Sequence, residues 1–312
     1  MSDTPRCVVS LLPGATETVG FVGAAGSLVG VTHECDYPPG VERLPKLTAS
    51  RIDHHALSSS EIDSAVGNLT DAGSIYTLDA NLLEELAPDL IVTQGLCDVC
   101  AVSLDVVERA AADLSSEPRI LSLNPGSLEE VLRDTETLGA TLGRARETRR
   151  EVEALRERIS RVQRAVAGLP RPRVGCLEWL DPPFSAGHWV PEMVRLAGGE
   201  EVFAEAGEPS VRLSPEEVSA AAPEALVLMP CGFGLERALE ETHLLADLPG
   251  WRQLPAVRDG RVWAVDANSY FSRPAPRLVE GVELLARLLH PGAFPEDPDA
   301  RDARAVSGLT VR

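Results

Sequence analysis

The stretch Ala145-Arg-Glu-Thr-Arg-Arg-Glu-Val-Glu-Ala-Leu-Arg-Glu-Arg-Ile-Ser-Arg-Val-Gln-Arg-Ala-Val166 decides how the rest of the chain is interpreted. Its apolar residues recur at alternating spacings of three and four, which places a single apolar stripe on an otherwise charged helix. These residues are Val152, Leu155, Ile159, Val162 and Val166. At 1.5 Å per residue, a helix over residues 144–167 would span roughly 35 Å, about the diameter of a small domain. We therefore predict a rigid helical rod that lies across other parts of the protein.

Strand-like apolar runs alternate with helix-like segments on both sides of this rod. The runs before it cover residues 7–12, 27–31, 88–93 and 119–123, and those after it cover residues 173–177, 225–229 and 261–265. Such alternation is typical of α/β folds with parallel sheets. We predict two Rossmann-like lobes with mostly parallel sheets, joined by one long helix, with a ligand cleft between the lobes.

The same pattern gives the domain boundaries. We expect an N-terminal α/β lobe over residues 1–126 and a helical segment that includes the rod over 127–169. A C-terminal α/β lobe should follow over 170–292. Residues 293–312 are rich in Pro and Asp and should form a flexible acidic tail.

The composition limits the classes of partner. A hydrophobic content of 44% with 25% charged residues is ordinary for a soluble globular protein. The net charge of −19 is unusual, and Lys46 is the only lysine among 29 basic residues. An acidic excess that uses arginine is typical of a high-GC genome and of salt-loving hosts. Its repulsive field argues against nucleic acid and anionic membranes as partners.

The start of the chain and its cysteines indicate the compartment. The first apolar run begins at residue 7, with no charged region, apolar region and cleavage site before it, and no apolar run is long enough to span a bilayer. We therefore predict a cytoplasmic protein without membrane insertion. Its six cysteines should be reduced thiols or metal ligands rather than disulfides.

Four residues of the first lobe form a possible metal site. His33 and Cys35 follow the second strand-like run, and Cys97 and Cys100 follow the third. Because parallel strands end at one edge of a sheet, the four could converge into a Cys₃His set suited to zinc or an iron–sulfur cluster. The alternative is that they are small buried residues or thiols at helix starts, since free cysteine is among the most buried residue types.

The second lobe adds two cysteines. Cys176 lies inside an apolar run, where we expect a core residue. Cys231 lies in the turn Pro230-Cys-Gly-Phe233 at the end of a strand. A thiolate at this place could ligate the cobalt of a corrinoid or the iron of a haem, so Cys231 joins the candidate metal ligands.

Aromatic residues are concentrated in the loops of the second lobe. They are Trp179, Phe184, Trp189, Phe233, Tyr270 and Phe271. Aromatic rings beyond strand ends suit a large flat apolar ligand, which gains both burial and stacking. The alternative is that about half of them only cover the core of the lobe.

Further candidate ligand-binding residues lie in both lobes. Pro13 and Thr16 belong to a strand-to-helix turn whose backbone N–H groups could hold an anion, or whose Thr16 could only cap the helix. Arg273 could pair with a ligand carboxylate or phosphate, and otherwise forms a structural salt bridge. His188 precedes a helix and either binds ligand, caps the helix or faces solvent. Two residues that follow strands of the first lobe complete the set: Tyr37 and Gln94.

Several motifs resemble those of a known family. They are Ser10-Leu-Leu-Pro-Gly-Ala-Thr-Glu17, Cys35-Asp-Tyr-Pro-Pro39, Ala87-Pro-Asp-Leu-Ile91, Asp181-Pro-Pro-Phe-Ser-Ala-Gly187, Ala197-Gly-Gly-Glu-Glu-Val-Phe203, Leu213-Ser-Pro-Glu-Glu217 and Ser272-Arg-Pro-Ala-Pro-Arg277. In this order they resemble class III substrate-binding proteins of the vitamin B12 and iron-siderophore uptake type, with the vitamin B12-binding subgroup most similar. The helical rod is also typical of that family. The resemblance implies a cobalamin-like ligand and delivery to the permease of an ABC importer.

The chain departs from the family pattern at three points. Transport members are exported, whereas this chain shows no export signal. The family presents one surface glutamate per lobe to the permease; Glu216 occupies the second-lobe position, but Asn81 occupies the first. The aromatic residue that covers the corrin in the second lobe is replaced by Ser210.

Two functions follow from these patterns. We favour a ligand-binding protein that holds a corrinoid, cobalamin or another tetrapyrrole or metal chelate. The alternative is a metalloenzyme or redox protein with zinc or an Fe–S centre on the Cys/His set. No Ser-His-Asp, P-loop or GxGxxG signature is present, which favours binding over catalysis.

Overall fold

The computed structural model describes residues 4–54, 56–71, 75–95 and 101–306. The chain divides into two compact units. Unit 1 contains Met1–Pro125, Glu129–Glu153 and Pro274–Pro276, and unit 2 contains Gly126–Leu128, Ala154–Arg273 and Arg277–Arg312. Within the described ranges, no helix is both long and apolar enough to cross a membrane. The cytoplasmic location stays a prediction.

Unit 1 is built on a four-stranded parallel sheet. Its strands are β1 (Val8–Ser10), β2 (Leu28–Gly30), β5 (Leu90–Thr93) and β6 (Arg119–Ser122), in the order β2-β1-β5-β6. Every residue of β1 and β5 is buried, as expected of central strands with both faces covered. A separate antiparallel pair consists of β3 (Thr48–Ser50) and β4 (Tyr76–Leu78).

Five helices accompany this sheet in the chain. They are α1 (Pro13–Phe21), α2 (Ser59–Asp71), α3 (Ala80–Leu86), α4 (Leu104–Ala112) and α5 (Leu128–Thr141). From the sequence we placed Pro13 and Thr16 in a strand-to-helix turn, but α1 already begins at Pro13. The reason is that Pro13 occupies the first turn, where a missing N–H costs nothing and the fixed φ favours the helix.

Unit 2 contains a six-stranded mixed sheet. Its strands are β7 (Arg173–Leu180), β8 (Pro183–Ser185), β9 (Glu200–Glu201), β10 (Ala225–Leu228), β11 (Val262–Val265) and β12 (Ala303–Ala305), in the order β12-β11-β10-β7-β8 with β9 also paired to β7. Strands β9, β7, β10 and β11 are parallel, and β8 and β12 are antiparallel additions. Both units are therefore α/β with parallel sheets, which confirms the predicted fold class.

The helices of unit 2 are shorter, except for the last. They are α7 (Val190–Leu196), α8 (Pro215–Ala221), α9 (Leu235–Glu241), α10 (Pro255–Arg258), α11 (Ala267–Tyr270) and α12 (Leu278–Leu289). The start of α8 follows from its sequence. The side chain of Ser214 accepts a hydrogen bond from the N–H of Glu217, whose carboxylate in turn accepts the N–H of Ser214.

The rod prediction is confirmed by helix α6 (Ala145–Val166). All five residues of its apolar stripe are buried. The division between the units falls within this helix, between Glu153 and Ala154. In unit 2, Arg158 of α6 makes a bidentate pair with Glu283 of α12, with N–O distances of 2.9 and 2.8 Å. A stripe of apolar contacts and a charge-assisted pair therefore fix the second part of α6 to unit 2.

The C-terminal segment differs from its prediction. We expected a flexible tail over residues 293–312, but Ala303–Ala305 forms β12, which pairs antiparallel with β11. The physical reason is that β11 would otherwise expose a row of unpaired backbone groups at the edge of the sheet. This pairing joins residues about forty positions apart, so local sequence carries little sign of it.

Candidate functional site

The order in which the chain adds strands to the unit 2 sheet reverses between β7 and β10, and the candidate site lies at the carboxyl ends of these strands. From β7 the chain continues to β8 and β9 on one side, whereas β10 leads to β11 on the other. Ligands of parallel α/β sheets bind beyond the strands at such a switch point. Leu177 pairs with Leu228, the last residue of β10, so Glu178 and Trp179 project beyond their neighbour. The carboxyl end of β7 is therefore accessible to a ligand at this edge of the sheet.

Three aromatic residues, which we call the aromatic edge, meet at this position: Trp179, Phe184 and Phe233. The ring centroids of Trp179 and Phe233 lie 5.3 Å apart with planes tilted by 57°, a favourable aromatic geometry. Phe184 of β8 is the direct cross-strand partner of Trp179, so both side chains lie on one face of the hairpin. Phe233 is buried, whereas Trp179 and Phe184 are half-buried and keep surface for a ligand.

Arginine side chains lie over two of these rings. The guanidinium carbon of Arg237 is 5.2 Å from the ring centroid of Phe233, and that of Arg212 is 5.5 Å from the ring centroid of Phe184. Arg237 also forms an ion pair with Glu241 at 2.5 Å. Cation–π contacts of this kind hold the rings in place from one side.

His188 and two further predicted aromatics form a second group in unit 2. The indole N–H of Trp189 donates a 2.8 Å hydrogen bond to the carbonyl of Phe271, and both residues are buried. The ring of His188 lies 5.6 Å from that of Trp189, and burial lowers the pKa of this half-buried histidine. Its backbone has a positive φ of 54°, and its N–H donates to the carbonyl of Glu208. Trp189 and Phe271 therefore contribute chiefly to packing.

Tyr270 is held by a hydrogen bond to a residue outside the aromatic edge, and Arg273 is buried. The hydroxyl of Tyr270 donates a 3.0 Å hydrogen bond to Asp302, and burial followed by this bond raises the pKa of the phenol. Arg273 is buried, with 8% of its surface exposed. A charged group buried to this degree is normally paired within the protein, which matches the structural alternative that the sequence left open.

Glu178 was not among the candidate ligand-binding residues, although it also lies at a strand end. Its carboxylate accepts the N–H of Gly187 at 3.3 Å and is hydrogen-bonded to the side chain of Ser210. Its carbonyl accepts the N–H of Cys231 at 2.9 Å. Burial raises the pKa of the carboxyl, and the hydrogen bonds with the Ser210 side chain and the Gly187 backbone offset part of this increase. An acidic residue at the end of an apolar strand was the sequence signal that pointed to it.

Gly187 shows how closely these loops approach one another. A Cβ atom added at this position would collide with the backbone N of Ser210 and the backbone of Pro209. Only glycine therefore allows the loop around Ser210 to lie against the turn that follows β8. The approach brings Ser210 next to the carboxyl of Glu178.

The predicted ligand residues of unit 1 are mostly enclosed. Thr16 is fully buried, and its hydroxyl lies 2.8 Å from Ser10 Oγ and 3.3 Å from the carbonyl of Leu12. Pro13 begins α1, so this turn corresponds to the structural interpretation. Gln94 is buried as well. Tyr37 is the most exposed residue of this set, with 40% of its surface exposed.

Cys35 is enclosed within unit 1 beside two threonine hydroxyls. Its thiol is buried and lies 3.1 Å from the hydroxyls of both Thr16 and Thr32. These hydroxyl neighbours correspond to a thiol that packs in the core, which was the alternative interpretation. Cys176 is also fully buried, as predicted, and Cys231 is exposed.

His33 has a hydrogen-bonding partner of its own in unit 1. Its Nδ1 lies 2.7 Å from Thr48 Oγ1, and burial is the main cause of its lowered pKa. Cys97 and Cys100 lie outside the described residues. Across residues 4–54, 56–71, 75–95 and 101–306, no group of three or more His, Cys, Asp or Glu could hold a metal ion. The described residues therefore give no support to zinc or an Fe–S centre.

Comparisons with known proteins agree on the fold. A family model described as "Periplasmic binding protein" matches residues 8–268. A vitamin B12-binding protein from Vibrio vulnificus (strain CMCP6) is 24% identical over 280 residues, covering 88% of this chain and 87% of that protein. An uncharacterized ABC transporter substrate-binding lipoprotein from Bacillus subtilis (strain 168) is 23% identical over 300 residues, covering 94% and 82%.

A solved structure gives the same result. The crystal structure of a periplasmic heme-binding protein from Pseudomonas aeruginosa matches 97% of this chain and 100% of its own, with a TM-score of 0.72 and 22% identity. At this identity the structural likeness establishes the fold, and the ligand has to be argued from the site.

Proposed function

Because this chain belongs to the periplasmic binding protein family, we propose that it is a substrate-binding protein for a corrinoid or a related tetrapyrrole or metal chelate. The observation that carries the proposal is the pair Trp179 and Phe233, which meet at the switch point of unit 2 with Phe184 beside them. Half-buried rings at a strand end gain burial and stacking when a flat ligand covers them.

The relatives narrow the ligand class. The Vibrio vulnificus protein is named for vitamin B12 and the Pseudomonas aeruginosa protein for haem. Both ligands contain a metal-chelating macrocycle with four pyrrole-derived rings, and the rings of the aromatic edge can pack against part of such a macrocycle. The metalloenzyme alternative depends on Cys97 and Cys100, which lie outside the described residues, and no observation among the described residues favours it.

A titration tests this proposal. The chain is purified anaerobically, its absorption spectrum and its cobalt, iron and zinc contents are recorded, and the apo-protein is titrated with cyanocobalamin and with haemin by calorimetry. We expect one of the two to bind at one molecule per chain with Kd below about 10 μM, since family-type sites bury most of their ligand. Absence of saturable binding for both up to about 1 mM would contradict the proposal.

We also propose delivery to the permease of an ABC importer through Glu216. This residue lies exposed in the first turn of α8, and the capping role there belongs to Glu217. Asn81 lies exposed in the first turn of α3, so the corresponding residue of unit 1 carries no charge. A single exposed carboxylate can pair with a permease arginine.

The partner proposal predicts a specific loss. We expect Glu216→Arg to abolish co-purification of a membrane permease with the tagged chain, because it replaces attraction with like-charge repulsion. Ligand affinity in the calorimetric titration should stay unchanged. Glu236→Arg, at an exposed position of α9, is the control for a general charge effect. Equal recovery of the permease with both variants would show that Glu216 is not the contact.

A further inference from the structure

Glu178 connects three segments of the carboxyl edge to the end of β7. Through its carboxylate it joins the turn at Gly187 and the loop at Ser210 to this strand. Through its carbonyl it joins the turn at Cys231 to the same strand. Backbone hydrogen bonds such as that from His188 to Glu208 also join the first two segments to each other, and Glu178 attaches them to β7.

Glu178 lies at an irregularity of β7. Leu177 pairs with Ser185 and Trp179 pairs with Phe184, the preceding residue of β8, so Glu178 is the extra residue of a β-bulge between two register pairs. The ring of Trp179 packs against that of Phe233, while the carboxyl of Glu178 is hydrogen-bonded to Gly187 and Ser210. The carboxyl therefore fixes the bulged backbone that continues into Trp179.

We propose that Glu178 is a positioning residue that fixes the end of β7, and with it Trp179, so that ligand affinity depends on the hydrogen bonds that this carboxyl makes within the protein. The inference rests on the proposed function, since it concerns the same site. It goes beyond that function because it assigns control of the aromatic edge to a residue that is not one of its three aromatic members.

The proposal has a consequence for pH. Ionising an enclosed carboxyl is unfavourable, which is why burial raises its pKa, and an ionised Glu178 favours conformations in which water reaches the carboxylate. Those conformations release Gly187 and Ser210. The other titratable or charged side chains on the packed segments include His188, Glu208, Arg212 and Cys231. Ligand affinity should therefore fall as pH rises through the pKa of Glu178.

The binding experiment compares Glu178→Ala, Glu178→Gln and the unchanged chain, titrated with cyanocobalamin and haemin between pH 5.5 and 8.5. Glu178→Ala should weaken ligand affinity about tenfold or more, because it leaves two hydrogen-bonding groups without a partner. Glu178→Gln keeps an acceptor for Gly187 and should stay within about threefold, with no pH dependence. Glu201→Gln, which removes a second buried carboxyl of unit 2, is the matched control and should leave affinity unchanged.

A second measurement needs no ligand. The chain is labelled with 5-fluorotryptophan, and its ¹⁹F signals are recorded, with the Trp179 signal assigned from Trp179→Phe. We expect that signal to shift with pH in the unchanged chain, to stay constant in Glu178→Gln and to move in Glu178→Ala, while the signal of the core residue Trp251 stays fixed in all three.

The two measurements separate the inference from the function on which it rests. If the unchanged chain binds neither ligand, the proposed function fails, and the Trp179 signal still decides whether Glu178 positions this residue. If the chain binds but Glu178→Ala has the same affinity and the same Trp179 signal as the unchanged protein, the positioning role is wrong.

Discussion

Trp179→Ala is expected to weaken binding of cyanocobalamin or haemin, whichever the unchanged chain binds, by about 30- to 150-fold. This corresponds to roughly 2 to 3 kcal/mol, a typical loss for an aromatic residue at the centre of a binding site. The reason is that Trp179 is half-buried and lies at the switch point, with its ring centroid 5.3 Å from that of Phe233. Calorimetric titration of both proteins at one pH and salt concentration measures the effect.

Two control variants make this result specific. Trp179→Phe keeps a ring at the same place, so its loss should stay below about tenfold. Trp263→Phe changes a half-buried tryptophan of β11 that pairs with Val227 and Ala305 within the sheet, and affinity should not change. If Trp179→Ala binds as tightly as the unchanged chain, the ligand does not lie on the aromatic edge.

The backbone fold could largely be predicted from sequence because its signals are local. The stripe of α6 repeats every three or four residues, and all of its members are buried. The central strands are continuous apolar runs, as β5 and β10 show. The short strands β8, β9 and β12 could not be found in the same way. Each has only two or three residues, and its existence depends on a partner strand rather than on its own composition.

The candidate site was harder to predict because its residue roles depend on long-range contacts. Aromatic residues of the second lobe were selected as one class, yet Trp189 is fixed by the carbonyl of Phe271, 82 positions away. For Thr16 the sequence left ligand binding and helix capping open, and for Cys35 a metal site and a buried thiol; the Thr16 hydroxyl and the Cys35 thiol lie 3.1 Å apart in the core of unit 1. No local pattern distinguishes a buried thiol from an exposed one.

Glu178 and Glu201 illustrate the same limit for charged residues. Each follows or interrupts an apolar segment, and the sequence gives no sign that either carboxyl is enclosed. In the structure, one is surrounded by Gly187 and Ser210, and the other by Phe203 and Cys176. Their difference in location suggests different roles: Glu178 lies beside the aromatic edge, whereas Glu201 pairs with Val174 near the amino end of β7.

Glu201 should make the stability of the protein depend on pH. Its carboxyl accepts the N–H of Phe203 at 2.8 Å and a bond from the thiol of Cys176, and its Oε2 is enclosed without a hydrogen-bond partner. Burial raises the pKa of this carboxyl from 4.5 to about 8. The folded state therefore holds a proton that the unfolded chain releases above pH 4.5 or so.

The sign of the effect follows from this difference in bound protons. A carboxyl whose pKa is higher in the folded state stabilises the fold fully below its unfolded pKa, and this stability is lost as pH rises towards 8. The slope is about 1.4 kcal/mol per pH unit, so the contribution lost between pH 5.5 and 7.5 is roughly 3 kcal/mol.

Glu201→Gln is expected to remove this dependence. Glutamine stays neutral at every pH and keeps an oxygen that accepts the N–H of Phe203. Urea unfolding of both proteins should therefore give a stability advantage for Glu201→Gln that grows from pH 5.5 to pH 7.5 by roughly 3 kcal/mol. Glu200→Gln, at the exposed neighbouring position of β9, is the control and should follow the unchanged chain. Parallel stability profiles for Glu201→Gln and the unchanged chain would mean that the carboxyl is already ionised in the folded protein, with water reaching Oε2.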